Sequence, residues 1–469
     1  LLQAFEGFKG SFVDLDRRTR TTAEEWKTAK AELRRELLLH GLEPGDIVVL
    51  ALPNGALFAA AWAAIIEAGA SPFLAHFESP FVELQALSRR AGARFIVTEH
   101  GDGAALTLAV GNLDRIALHE SQVQEKHLNQ LRPHSVPLHP TSGTTGESRI
   151  AIRPGPCAVA EALHYIETLG IERSDNILCV SPMSHAYAYG MCLMVPLLTS
   201  ASVLAMRRFN PRLASRAILE GTVTTFPAVP AILDIFPYPA ATTAGAGEKV
   251  RIVLSAGAPL GRKTAAKYRE HHRITIRSLL GSTETGGISI APTTEQVDES
   301  VGPPMNGVEV SIDTTEYGQV EEGLGMLQVR SSSLMSGYLA ADQIDREPIV
   351  GGWFNTGDIA RLERGHIVLR GRVSEVINVF GMKVIPSEVE AVISAIPEVE
   401  AVKVYPGKHR SGSDIVRAAL ICRQPVDEHW IREHCRQNLV AYKCPTSITF
   451  FEDFPRTTAG KIDVKKLPV

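Results

Sequence analysis

From residue 22 to residue 97 the chain alternates between helical and extended hydrophobic patterning, which limits the fold more than any other feature of the sequence. Residues 22–39 carry an amphipathic helical period. Thr22 stands where it caps that helix, Glu25 stands three positions on to complete a capping box, and Gly41 ends it. Pro44-Gly45-Asp46 turns into the wholly apolar run 47–52, read as a strand. The Ala-rich run 55–66 is too short to cross a bilayer and reads as a buried helix. Residues 71–75 are extended, 80–91 helical, and 94–97 a strand. This β-α-β-α-β order predicts a parallel sheet covered by helices. Residues 101–139 carry no assignable period, and 237–247, rich in Pro, Ala, Thr and Gly, read as an exposed loop.

At 469 residues the chain exceeds one ordinary domain, so two or three are expected. A hydrophobic content of 45% with 21% charged residues suits a globular enzyme with a large core. The net charge of -4 argues against a general nucleic-acid binder, and membrane insertion is not expected either. The cysteines at 157, 179, 192, 422, 435 and 444 form no CxxC pair. They read as reduced thiols of a cytoplasmic protein, not as a disulfide frame or a zinc site. Leu1 stands where a methionine would begin a chain, so a trimmed start is expected; no signal peptide is read in it.

Several polar loops interrupt the apolar runs. Pro140-Thr141-Ser142-Gly143-Thr144-Thr145-Gly146-Glu147-Ser148-Arg149 joins hydroxyls, glycines and a cation, with no apolar side chain among them. Such a run cradles polyphosphate or forms a solvated turn. Its glycine spacing is not that of a GxxxxGK[ST] P-loop. After a helix at 157–169 and a strand at 177–180 comes Ser181-Pro182-Met183-Ser184-His185-Ala186-Tyr187, past a strand end where α/β folds keep ligands. The apolar run 251–254 opens into Ser255-Ala256-Gly257-Ala258-Pro259. The strand 275–280 opens into Gly281-Ser282-Thr283-Glu284-Thr285-Gly286-Gly287, whose carboxylate beside hydroxyls suits a magnesium ion carrying phosphate oxygens. Asp358 is fit to accept from two vicinal sugar hydroxyls and Arg372 to donate to the same ribose or a phosphate; the segment also reads as a hairpin. From residue 375 short strands and helices alternate (375–379, 387–395, 399–405, 416–422, 429–439) as in a small α+β domain, and Lys461 lies on a Gly-containing loop near the chain end.

Taken in order, these motifs resemble the adenylate-forming superfamily of acyl- and aryl-CoA synthetases, nonribosomal-peptide adenylation domains and firefly luciferase. The resemblance covers nearly the whole chain. It rests on residues 45–48, Leu52-Pro53-Asn54, Glu67-Ala68-Gly69-Ala70, residues 141–146, Ser184-His185, residues 281–284, Gly337-Tyr338, residues 353–358, Gly371-Arg372 with Gly381 and Pro386-Ser387-Glu388, and residues 455–461. It implies a large α/β domain of helix-covered sheets (1–372) and a small mobile α+β domain (373–469). The reaction it implies uses ATP, Mg²⁺ and CoA: a carboxylic acid attacks the α-phosphorus, pyrophosphate leaves, and a thiol then takes the acyl group. Thr141, Ser142, Gly143, Thr144, Thr145, Gly146 and Arg149 would hold the β- and γ-phosphates. Gly257, Ala258, Gly281 and Ser282 would line the nucleotide, Thr283 would touch the α-phosphate, and Glu284 would hold the metal. Asp358 and Arg372 would hold the ribose, while His185 and Lys461 would act on the reacting groups. A hinge beside Ser374 would bring Gly381 to the pantetheine.

Four positions depart from the family pattern: Ser148-Arg149 replaces Pro-Lys, Ser374 the hinge Asp or Lys, Leu280 the adenine-stacking aromatic, and Ala188 a glycine. The acyl pocket would be lined by Met183, Tyr187, Phe226, Val229, Ala256 and Ile288, and also by Tyr189, Met191, Ile232 and Ala258. No aspartate stands beside His185 to hold an α-ammonium, so a medium-chain aliphatic or an aryl acid is expected instead of an amino acid. Three alternatives stay open: a stand-alone ligase loading a phosphopantetheinyl carrier protein, an adenylating or luciferase-like enzyme that uses no thiol, and a binding module that kept the fold.

Overall fold

The structure, a computed structural model, describes residues 1–99, 104, 106–110, 113–121, 137–141, 149–236, 249–293, 300–318, 321–340, 344–379, 382–408, 414–456 and 462–468. The chain forms two compact units, Leu1–Val310 with Val329–Phe354 and Ser311–Gln328 with Asn355–Val469. The 372/373 boundary that the resemblance implies falls inside the smaller of these units.

The larger unit holds two sheets. One runs in the order Gly286–Ile290, Ile276–Ser282, Ile252–Ala256, Thr225–Ala228, Asn176–Cys179, Ser202–Ala205, Ser11–Asp14, Thr19–Thr22. Its members from Ile276–Ser282 to Ser11–Asp14 pair in parallel, and each edge is an antiparallel strand. The second sheet contains the alternation that opens the chain. Ile47–Ala51 lies between Ser71–Leu74 and Phe95–Thr98, parallel to both, as the β-α-β-α-β pattern predicts. Residues 101–139, unassigned from sequence, supply Leu106–Val110 and Asp114–Glu120, an antiparallel edge on Phe95–Thr98. On the other side follow Leu138–Pro140, Ile150–Ile152 and Gly337–Leu339. The low-complexity run 237–247, read as an exposed loop, falls outside the described residues.

Helix Ala23–Leu39 begins at the expected capping box: the Thr22 hydroxyl accepts from the Glu25 amide at 3.3 Å and the Glu25 carboxylate accepts from the Thr22 amide at 2.8 Å. Helix Ala56–Glu67 is buried on every face up to Ile66. Its Trp62 meets Tyr189 edge-on with ring centroids 5.6 Å apart, and Phe5 meets the same indole edge-on at 5.4 Å. Among the described residues no helix is long and apolar enough to cross a membrane. All six cysteines are free thiols.

In the smaller unit Val399–Lys408 pairs antiparallel with Asp414–Cys422, which pairs in parallel with Ser447–Phe450, a strand the sequence reading does not anticipate. Helices Pro386–Ser394 and Glu428–Asn438 cover the sheet through Val389, Ile393, Ile431 and Cys435, packed on Val404, Val416 and Leu420.

Candidate active site

Carboxyl ends of parallel strands are where a doubly wound sheet leaves backbone amides free for a ligand. Four neighbouring strands of the first sheet end together: Asn176–Cys179, Thr225–Ala228, Ile252–Ala256 and Ile276–Ser282. Their ends deliver the His185 loop, Val229, Gly257-Ala258 and Thr283-Glu284 to one sheet edge. Gly257 and Ala258 are exposed there, and Gly257 has a positive φ of 85°.

Two boundaries differ from the sequence reading. Ser255 and Ala256 continue their strand instead of opening a loop. Gly281 and Ser282 likewise continue theirs, turning back at Thr283–Thr285 into Gly286–Ile290, so the supposed loop is a tight hairpin. The return is possible because a side chain at Gly286 would meet Glu161 at 2.8 Å and one at Gly287 would meet Tyr165 at 2.8 Å. The hairpin tip is held by its own hydroxyls. Glu284 N donates to Ser282 Oγ at 3.2 Å and Ser282 N to Thr285 Oγ1 at 3.2 Å. Ser333 Oγ donates to the Thr285 carbonyl at 2.7 Å, and Met335 N to the Glu284 carbonyl at 2.8 Å.

The Glu284 carboxylate accepts from Tyr338 Oη at 2.7 Å. Burial raises the Tyr338 pKa, with adjacent Glu284 adding to the shift, so the phenol stays a proton donor. Among the described residues no group of three or more His, Cys, Asp or Glu side chains is arranged to hold a metal. A metal at Glu284 would take its carboxylate and complete its shell with substrate phosphates and water, which fits Mg²⁺.

The described ends of the hydroxyl- and glycine-rich run lie side by side. Leu138–Pro140 pairs with Ile150–Ile152, Thr141 N donates to the Arg149 carbonyl at 2.8 Å, and Arg149 N donates back to Thr141 Oγ1 at 3.2 Å. Thr141 is thus buried and closes the loop, while the exposed Arg149 lays its guanidinium 3.9 Å over the Tyr338 ring. Ser142, Gly143, Thr144, Thr145 and Gly146 lie outside the described residues, as do Gly381 and Lys461.

His185 stands at the start of helix Ala186–Tyr189, which continues through a π-helical turn, Gly190–Met194, into Val195–Thr199. His185 is exposed, and desolvation by its surroundings and then nearby His76 lower its pKa, so it is neutral at pH 7. Asn54 fixes this loop: its amide donates to the Ser181 carbonyl at 3.1 Å and its carbonyl accepts from Met183 N at 2.7 Å. Of the pocket candidates, Tyr187 and Val229 are half-buried, while Met183, Ala256 and Ile288 are buried. Phe226 is engaged in the core, with its ring edge-on to Phe236 at 5.4 Å.

Sequence reasoning misses what supports the hairpin from below. Arg153 and Glu161, 0% and 1% exposed, form an ion pair at 2.9 Å. Tyr165 donates to the same carboxylate at 3.2 Å, and Arg153 donates to the Ser333 carbonyl at 3.3 Å. His139 is buried beside Arg153, and desolvation drives its pKa well below the usual histidine value. A signal for this cluster exists in helix Gly155–Leu169, where Glu161 falls on the buried stripe with Ala158, Ala162 and Tyr165.

In the smaller unit Asp358 and Arg372 face each other across the hairpin of strands Trp353–Glu363 and His366–Arg372. Arg372 Nε donates to Asp358 Oδ1 at 2.8 Å, and Asp358 N donates to Thr356 Oγ1 at 3.0 Å. The hairpin and the paired polar groups are both present. Ser374 is exposed in the 3-10 turn Val373–Glu375 that follows.

Arg149 at the end of one sheet's strand pair and Glu284 at the hairpin tip of the other sheet are linked through Tyr338. A model of the AMP-binding enzyme family matches residues 7–339, and one of the AMP-binding enzyme C-terminal domain matches residues 388–461. The chain belongs to this adenylate-forming family and is an AMP-forming acid–thiol ligase. It is 28% identical over 464 residues to 4-coumarate–CoA ligase of Pinus taeda, covering 91% of this chain and 85% of that protein. It is equally 28% identical over 464 residues to 2-succinylbenzoate–CoA ligase of Geobacillus kaustophilus, covering 95% and 92%. In fold it matches ATP-bound MatB from Rhodopseudomonas palustris with a TM-score of 0.83 at 20% identity, covering 99% of this chain and 96% of that one. It matches Bacillus subtilis o-succinylbenzoate CoA synthetase in complex with its acyl-adenylate with a TM-score of 0.80 at 21% identity, again covering 99% and 96%.

Proposed function

We propose that the chain activates an apolar carboxylic acid, medium-chain aliphatic or aryl, and passes the acyl group to free CoA. A carboxylate oxygen attacks the α-phosphorus, the bond to the pyrophosphate oxygen breaks, and acyl-AMP and pyrophosphate result. The CoA sulfur then attacks the acyl carbon, the bond to the AMP oxygen breaks, and the thiol proton passes to solvent. The observation that carries this reading is the continuous contact from Arg149 at the end of the phosphate hairpin, through Tyr338, to Glu284.

Anionic nucleophile and anionic phosphate repel, so the site must neutralise charge before attack. Mg²⁺, when bound, neutralises and aligns phosphate oxygens. Glu284 would hold that ion, with Thr283 at the α-phosphate and Ser282 and Gly281 beneath it. Residues 141–146 and Arg149 would hold the leaving pyrophosphate. Gly257 and Ala258 would line the nucleotide, and Asp358 and Arg372 its ribose. His185, neutral at pH 7, offers the acid an N–H without adding charge. Lys461 would bridge carboxylate and phosphate from a small domain beginning at 373, turning about Ser374 to bring Gly381 toward the thiol. Tyr187, Val229, Met183, Ala256 and Ile288 support an apolar acyl pocket; Phe226 is held in the core. The free thiols accord with a cytoplasmic setting.

Free CoA is favoured over a carrier protein because the relatives above are CoA ligases. The test is mass-spectrometric detection of thioester over a panel of aryl, medium-chain and amino acids, with CoA and with a phosphopantetheinyl carrier as acceptors. Acyl-CoA from an aryl or medium-chain acid is expected. Turnover of the carrier alone, or of amino acids alone, would overturn the reading.

A further inference from the structure

Glu284 is fixed twice by one short segment. Met335 holds its backbone carbonyl, and three residues on Tyr338 holds its side chain. The register that does this is set by sequence. In the strand Gly337–Leu339, Tyr338 pairs with Ala151 and Gly337 with Ile152, two residues after the phosphate hairpin closes. Only glycine fits at 337, where φ is 138° and a Cβ would lie 2.4 Å from the Asp345 carbonyl oxygen. Tyr338 is therefore locked at 2% exposure with its ring under Arg149 and its hydroxyl on Glu284 Oε1.

We propose that Tyr338 is a positioning residue for the metal: it commits one Glu284 oxygen to its phenol so that the other is aimed at the cation, and its ring seats Arg149 beside the pyrophosphate. This rests on the reading of Glu284 as the Mg²⁺ ligand. A flexible carboxylate offered to a hard cation samples monodentate, bidentate and outward rotamers; a phenol at 2.7 Å removes most of that freedom. Partners that orient a metal-binding carboxylate typically hold about 10- to 100-fold in metal affinity. The second half of the proposal explains the arginine. A planar guanidinium stacks on an aromatic face, whereas a lysine at 149 would bring a point charge with no preferred orientation.

The experiment uses the full chain and Mn²⁺ as the probe ion, with Mn²⁺ binding followed by electron paramagnetic resonance in the presence of ATP, without turnover. Tyr338→Phe keeps the ring and removes the hydroxyl; it should weaken Mn²⁺ about tenfold while metal-free ATP affinity and Tm stay near wild type. Tyr338→Leu should weaken metal-free ATP binding as well, through loss of the Arg149 seat. Glu284→Gln should weaken Mn²⁺ strongly, and adding Tyr338→Phe to it should cost nothing more. If Glu284→Gln weakens Mn²⁺ but Tyr338→Phe does not, or if their losses add in full, the positioning role is overturned while the site reading stands. If Glu284→Gln binds Mn²⁺ as wild type does, the metal reading falls and this proposal falls with it.

Discussion

Each unit presents a carboxylate on an antiparallel hairpin, and the two are chemically different. Glu284 accepts from a neutral phenol, so its charge is uncompensated by that partner and stays available to a cation. Asp358 is ion-paired with Arg372 in a hairpin pair, so its charge is largely spent; what it retains is capacity to accept further hydrogen bonds. The supports differ as well. The Glu284 hairpin rests on the fully buried Arg153–Glu161 pair, while the pair at Asp358 is half open to solvent on the arginine side. On the proposed reading, equal side-chain chemistry would serve a metal in one place and sugar hydroxyls in the other, decided by the neighbour.

The contrast breaks most visibly in paired isosteres. Glu284→Gln should lower acid-dependent ATP–pyrophosphate exchange by about 100- to 1,000-fold at saturating nucleotide. Asp358→Asn should instead raise the ATP KM about tenfold with a smaller change in kcat. Reversed phenotypes would show that the neighbours do not assign the roles. Next in size is the support under the hairpin. Glu161→Gln leaves Arg153 buried with its charge uncompensated and should cost about 3 kcal/mol in urea unfolding, with much of it recovered in Arg153→Met/Glu161→Gln. A loss near zero would remove that support from the comparison.

A smaller effect concerns pH. His139, His164 and His185 have folded pKa values below the usual 6.5, each chiefly through desolvation. The unfolded chain therefore binds more protons below that value, and stability is full above about pH 6.5 and declines as pH falls toward the folded pKa values. Each group contributes at most about 1.4 kcal/mol per pH unit in that window. Urea midpoints between pH 5 and 7.5 should fall on acidification, and less so in His139→Phe; a flat profile would contradict the buried neutral state. The smallest change expected is a gain: Leu280→Tyr should lower the ATP KM about threefold by restoring a stacking ring, and an unchanged or raised KM would remove adenine from that position.

Local rules made much of the fold legible. The Thr22–Glu25 capping box, the apolar strand Ile47–Ala51 and the all-round apolar helix Ala56–Glu67 follow from patterns within a few residues. Leu106–Val110 and Asp114–Glu120 did not, because an edge ribbon with exposed Thr, Ala and Arg positions and half-buried leucines carries little hydrophobic contrast. The motif residues at the sheet edge were legible as polar, glycine-rich breaks that follow apolar strands. Their supports were not. Arg153 reaches Ser333, and Tyr338 reaches back to Glu284, across separations of 180 and 54 residues that no local period encodes. Gly286 and Gly287 read as loop glycines, when their lack of side chains serves close packing on Glu161 and Tyr165.

The two half-reactions in Lys461→Ala test the central claim most directly, that one chain makes an acyl-adenylate and then transfers the acyl group with different residues. Acid-dependent pyrophosphate exchange should fall by at least about 100-fold, while CoA thioester formation from supplied acyl-adenylate stays within a few-fold of wild type. Equal loss of both half-reactions, or survival of exchange, would contradict it.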